Sequence, residues 1–168
     1  MSSRKRKRSS FKEVCLLARF SLLPHALDDV RVRIFASLQE ELIRYNVVAG
    51  GVPIKFFDVG LAPGSKHGRI HWNDPHIFVN VRVKALLFSP VVDQILVGKV
   101  NKVGVDYVGL LVHSLFNASI VDQDLGTSYA FDQNTETWKS KDDDDNVIKV
   151  GTLLSFRLKS FDHADGIL

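Results

Sequence analysis

Residues 77–88, IFVNVRVKALLF, set Val79, Val81, Val83 and Ala85 on one side of an extended chain and Asn80, Arg82 and Lys84 on the other. A period of two with one apolar and one wet side is the signature of a strand covered on a single face. Upstream, EVCLLARFSLL (13–23) alternates in the same way through Val14, Leu16, Ala18 and Phe20, and VPIKFFDVGLA (52–62) reads as a further strand. Between these two, Pro24 suits a first helical turn and Asp28 and Asp29 stand near its positive end. Leu27, Val30, Ile34, Leu38 and Leu42 recur every three or four residues, which predicts an amphipathic helix of about 20 residues stopped by Gly50-Gly51. PGSKHGRIHWNDP (63–75) is too rich in Gly, Pro and polar residues to be anything but a long loop. Residues 11–90 therefore predict an α+β unit of strand, helix and antiparallel sheet.

Outward from this unit the character changes. SPVVD (89–93) marks a boundary, and QILVGKVNKV, DYVGLLVH, NASIV, TETWKSK and TLLSFRLKSF follow as five short strand candidates separated by turn residues. Gly98 and Gly104 suit sharp bends, so residues 91–168 predict a small antiparallel β-barrel. No internal repeat is present.

The 168 residues are 45% hydrophobic and 24% charged, the composition of a globular protein. No apolar run reaches the roughly 20 residues that span a bilayer, and the basic start lacks the apolar stretch of a secretory signal. An intracellular protein with no membrane role is the expectation. Cys15 is the single cysteine, which excludes an internal disulfide framework and fits a reducing compartment. The sequon Asn117-Ala118-Ser119 is then not expected to be glycosylated.

The net charge of +3 is misleading until divided. Arg4, Lys5, Arg6, Lys7 and Arg8 supply five positive charges, and the remainder carries 17 Lys+Arg against 19 Asp+Glu, a balance of −2. Residues 1–10 read as a disordered basic tail whose cluster is read first as a nuclear-import signal, with a flexible nucleic-acid arm or a merely solubilising end as the alternatives. Asp142–Asp145 reads as an exposed acidic loop, since four consecutive aspartates lack the alternation and the glycine of an EF-hand.

Reaction chemistry finds little support. His113 and Ser114 suggest a base and a nucleophile, but neighbours in a strand point to opposite faces, and no Gly-x-Ser-x-Gly elbow occurs. His67, His71 and His76 crowd one loop with Asp74, yet that loop has no periodicity to preorganise metal ligands, so no metal is expected. Neither AGGV nor APGSKHG has the spacing of a phosphate-binding loop. The remaining candidates belong to nucleic-acid contact, where a barrel face offers aromatics to bases and cations to phosphates. They are Lys99, Lys102, Tyr107, Phe116, Arg157 and Lys159, with Trp138 beside them.

SPVVDQILVGKVNKVGVDYVGLLVHSLFNASI (89–120) resembles the stalk subunit of nuclear RNA polymerase I, counterpart of the stalk protein of archaeal RNA polymerase and of the equivalent stalk proteins of polymerases II and III. VGKVNKV, GLLVH and FNASI carry the likeness most strongly. LLPHALDDVRVRIFASLQEELIRYN, GGV and NDPHIFVNVRVKALLFSP are similar to that family's helix, following turn and domain-joining strand.

The resemblance implies a tip domain over 11–90 that docks on the polymerase core, and an OB-fold domain over 91–168 with its acidic loop near 142–145. It implies a subunit without catalytic activity or cofactor, working in transcription initiation and ribosomal RNA synthesis in the nucleus and nucleolus. The implied partners are the large polymerase I subunits, a smaller stalk subunit, an initiation factor and, weakly, nascent RNA. By position, core docking falls on the loops 46–53 and 60–76, including Gly50, Gly51, Pro63, Gly64 and Gly68. Two departures stand out. HADGIL (163–168) begins the family's last barrel strand as the sequence ends, and residues 121–146 match no family pattern. The alternative reading is an independent OB-type RNA-binding module of RNA processing or translation.

Overall fold

A computed structural model of the chain describes residues 9–143 and 146–161. The basic run Arg4 to Arg8, Asp144, Asp145 and the HADGIL segment lie outside the described residues. The chain divides into two compact units, the first ending at Pro90 and the second beginning at Val91. No helix among the described residues is long and apolar enough to cross a membrane.

In the first unit β4 (Ile77–Phe88) is the central strand, with β1 (Phe11–Leu22) along one edge and β2 (Val52–Leu61) along the other. β1 pairs with it antiparallel without a break, from Phe11 opposite Phe88 to Leu22 opposite Ile77. The short β3 (Arg69–Ile70) continues the second edge beside Phe78 and Ile77. Alternation in the sequence becomes alternation in burial. Val79, Val81 and Val83 are buried with Ile34, Leu38, Leu22 and Ala26 in one cluster, and Ala85 and Leu87 with Ala49 in a second.

The helix is shorter than its periodicity predicts. Pro24–Asp29 form a 3-10 turn, and the α-helix α1 covers Val30–Glu40 alone. A 3-10 segment winds three residues per turn, which shifts the phase. Ala26 therefore faces the core while Leu27 turns to solvent. The end is set by Ile43, whose backbone is left-handed at φ 63° and whose N–H donates to the Pro53 carbonyl at 2.9 Å. Gly50 and Gly51 close a separate loop. There the Asn46 N–H donates to the Gly51 carbonyl at 3.0 Å, and the Asn46 Oδ1 accepts the Ala49 N–H at 2.9 Å.

The second unit has two antiparallel sheets. One runs β11 (Leu153–Arg157), β5 (Ile95–Val103), β6 (Tyr107–Val112), β7 (Phe116–Val121). The other runs β10 (Val147–Ile148), β9 (Thr137–Ser140), β8 (Tyr129–Asp132), with the four-residue helix α2 (Asp122–Leu125) preceding it. Their apolar sides form one core of Val100, Val108, Leu110, Trp138 and Ile148, lined by Leu154 and Phe156. α2 and β8 fall within residues 121–146, the stretch that matched no family pattern, and β10 lies just beyond it. Elements of two to four residues are too short to show a period.

Candidate contact surfaces

The second unit's larger sheet turns one face to solvent. On β5, Ile95, Val97 and Lys99 point outward while Leu96, Gly98 and Val100 point inward. A regular strand would send Lys99 and Lys102 to opposite faces. Asn101 is an extra residue in the pairing, since Val100 lies opposite Leu110 and Lys102 already opposite Gly109. The bulge reverses the alternation and brings both lysines to the outer face. Gly109 is the floor there. A β-carbon on it would lie 2.9 Å from the Asn101 Oδ1 and 3.2 Å from the Lys102 Cβ.

Lys102 sits with its Nζ 5.6 Å from the centre of the Tyr107 ring, within cation–π range. Hydrogen bonding with Tyr107, and its charge second, raises the Lys102 pKa. Arg157, opposite Ile95, completes the cationic set and reaches Asp93 only at 3.9 Å.

Three expected members of this surface are not on it. Phe116 is 1% exposed, because it pairs with the inward Val112 directly after a tight turn. Trp138 is a core residue whose Nε1 donates to the Gly104 carbonyl at 3.0 Å and whose ring tilts against Phe131. Lys159 lies past the end of β11, where its ammonium meets the Asp124 carboxylate on α2. His113 and Ser114 are in no strand. They are the two central residues of the β6–β7 turn, at φ 51° and 60°, with the Leu115 N–H donating to the Val112 carbonyl at 3.1 Å. Positive φ at both positions is a type I′ turn. Asn117 is exposed on the outer face of β7.

The loops of the first unit give a different surface. Gly51 and Gly68 serve close packing: a β-carbon on Gly51 would sit 2.8 Å from the Phe88 carbonyl oxygen, and one on Gly68 would sit 2.6 Å from the Ile77 Cγ2. Gly50 and Gly64 turn the chain at φ 67° and 80°, and Pro63 is exposed beside Gly64. What these backbones present is apolar. Val47 and Val48 stand at the tip of one loop, and Ile70 at the end of β3 and Trp72 just after it stand in the other segment, with Val48 94% and Trp72 95% exposed. Glycine and proline mark these loops in the sequence, and the apolar side chains between them escape notice there. An apolar residue inside a Gly- and Pro-rich loop is the signal that would have found them.

The loop histidines pack rather than gather. The His71 and Phe78 rings meet edge-on at 5.0 Å, and the His76 Nδ1 lies 2.7 Å from the Asp74 Oδ1. The Asp74 pKa is lowered, chiefly because its carboxylate accepts the His76 backbone N–H at 2.9 Å. Among the described residues no three His, Cys, Asp or Glu side chains are set to hold a metal ion. A bulge in β2 leaves Asp58 at φ 51° and brings its carboxylate 3.1 Å from the Lys84 Nζ and 3.7 Å from the Arg82 Nη2. That Lys84 contact lowers the Asp58 pKa.

A family model described as the RPA43 OB domain in RNA Pol I matches residues 90–152. A probable DNA-directed RNA polymerase I subunit RPA43 of Dictyostelium discoideum is 32% identical over 121 residues, covering 72% of this chain and 33% of the relative. The DNA-directed RNA polymerase I subunit RPA43 of Danio rerio is 30% identical over 149 residues, 88% of this chain and 34% of the relative. The Schizosaccharomyces pombe protein of that name is 31% identical over 105 residues, 61% of each chain. The chain thus spans about a third of the length of the first two of these relatives.

Proposed function

The chain belongs to the RPA43 family of RNA polymerase I subunits, and from that premise we propose that it is a non-catalytic adaptor in the stalk of that polymerase. The loops 46–53 and 60–76 dock on the large core subunits. A smaller stalk subunit pairs with the chain, and the OB barrel offers its outer face to an initiation factor and weakly to nascent RNA. Arg4 to Arg8 direct import, which places the protein in the nucleus and nucleolus during ribosomal RNA synthesis.

One observation carries this reading: Val47, Val48, Ile70 and Trp72 hold large apolar side chains in water around the ends of the first unit's sheet. A free monomer gains nothing from such exposure, whereas a buried interface gains about 25 cal/mol per Å² removed from water. RNA contact is kept weak by a body charge of −2, because affinity rises with each phosphate neutralised. The reading as an independent RNA-binding module loses two stacking residues, since Phe116 and Trp138 are buried. The test is purification of the tagged chain from nuclear extract with mass spectrometry of the eluate. The large polymerase I subunits are expected among the abundant species. Recovery of the chain with RNA-processing factors and no polymerase would overturn the proposal.

A further inference from the structure

The outer face of the β11-β5-β6-β7 sheet combines charge and grease in a way that RNA contact does not use. Its four strands carry three cations, Lys99, Lys102 and Arg157, and no carboxylate. Beside the cations, three aliphatic side chains lie in the open: Ile95 at 53%, Val97 at 51% and Leu153 at 70%. The pairing makes them neighbours, with Leu153 opposite Lys99 and Arg157 opposite Ile95 across one β11–β5 spacing. Among the described residues of the four strands, Tyr107 is the aromatic side chain directed to this face, and it is engaged by Lys102 at the β6 end.

Nucleic acid would pair with the cations but not with the aliphatics, because bases bind by stacking on aromatic or guanidinium planes. A plain acidic chain would likewise leave them wet. The ligand that satisfies both is a polypeptide with carboxylates set against Lys99 and Arg157 and apolar side chains set on Ile95, Val97 and Leu153. We propose that the β5–β11 half of this face is a docking site for an acidic, amphipathic polypeptide segment. The inference rests on the proposed use of this outer face as a protein contact and names the chemistry of its partner, but its test needs no assembled polymerase, so its failure is distinguishable from failure of the stalk reading.

The experiment uses the full 168-residue chain and two labelled probes in fluorescence anisotropy. One is a peptide of about 16 residues with leucine at helical spacing among glutamates; the other is an oligouridine of about 15 nucleotides. Val97→Ser with Leu153→Ser removes the grease and adds no charge. Lys99→Gln with Arg157→Gln removes the cations. Circular dichroism melts confirm that both variants remain folded.

The peptide is expected to bind the native chain and to weaken about tenfold in each double variant. Oligouridine is expected to weaken only when the cations are removed. Three results would overturn the proposal: no peptide binding to the native chain, peptide affinity unchanged by the serine pair, or oligouridine weakened by the serine pair as strongly as the peptide.

Discussion

Trp138 donates its indole N–H to the Gly104 carbonyl at 3.0 Å, tying the hairpin of the second sheet to the β5–β6 turn. The ring is 6% exposed and packs against Phe131 with centroids 5.6 Å apart. A residue so placed is a staple of the core rather than a platform for bases. Trp138→Phe keeps most of the apolar volume and strands a carbonyl, and is expected to cost about 1–3 kcal/mol. Chemical denaturation followed by circular dichroism measures this. No loss of stability would mean that the indole contact contributes nothing.

The β6–β7 turn places His113 and Ser114 in the left-handed region, at φ 51° and 60°. Each such residue is strained by roughly 1–2 kcal/mol, whereas glycine costs roughly 0.5–1 kcal/mol through its freedom in the unfolded chain. Relief of strain outweighs that entropic cost. Ser114→Gly is therefore expected to stabilise the protein by about 0.5–1 kcal/mol, read as a higher melting temperature.

In the first unit, Gly51 and Gly50 separate a packing role from a conformational one. A methyl group at Gly51 would press on the Phe88 backbone carbonyl at 2.8 Å, and backbone cannot swing away. Gly51→Ala is expected to cost about 1–3 kcal/mol as overpacking. Gly50 has open space around it and a φ of 67°, so Gly50→Ala should cost about 1–2 kcal/mol from strain alone. Denaturation of both variants checks this, and equal stability to the native chain at either position would refute the role assigned to it.

Asp132 accepts hydrogen bonds from the Lys139 ammonium at 2.6 Å and the Asn134 N–H at 3.0 Å, which lower its pKa from 3.8 to about 2. A depressed carboxyl contributes stability above its unfolded pKa and loses it as pH falls through the folded one. The contribution should be complete above pH about 5, fall through the range between the two pKa values and be gone near pH 1. Thermal melts of the native chain and Asp132→Asn are therefore expected to converge as pH drops across that window. A gap independent of pH would contradict this.

How far the fold could be read from the chain depended on element length. Twelve-residue strands with strict alternation, β1 and β4, announced themselves through Val14, Leu16, Val81 and Val83. The helix was legible but mis-phased, because a six-residue 3-10 segment put Ala26 where an α-helix would have put Leu27. The α+β class and the OB region were legible; β8 and β10 were not. At the barrel surface, Lys99, Lys102, Tyr107 and Arg157 do face solvent. The bulge at Asn101 that unites the two lysines has no mark in the sequence. Phe116 misled because its orientation follows from the turn before it, and aromatic residues in an apolar strand more often complete a core.

The central claim, that this chain works by contact through the apolar tips of its first unit, is tested most directly by co-purification with Val48→Ser and Trp72→Ser combined. Both side chains are almost wholly in solvent, so the melting temperature should stay at the native value. Quantified by mass spectrometry from nuclear extract, the large polymerase I subunits are expected to fall about tenfold relative to the native tagged chain. Undiminished recovery of those subunits with the double variant would contradict the account.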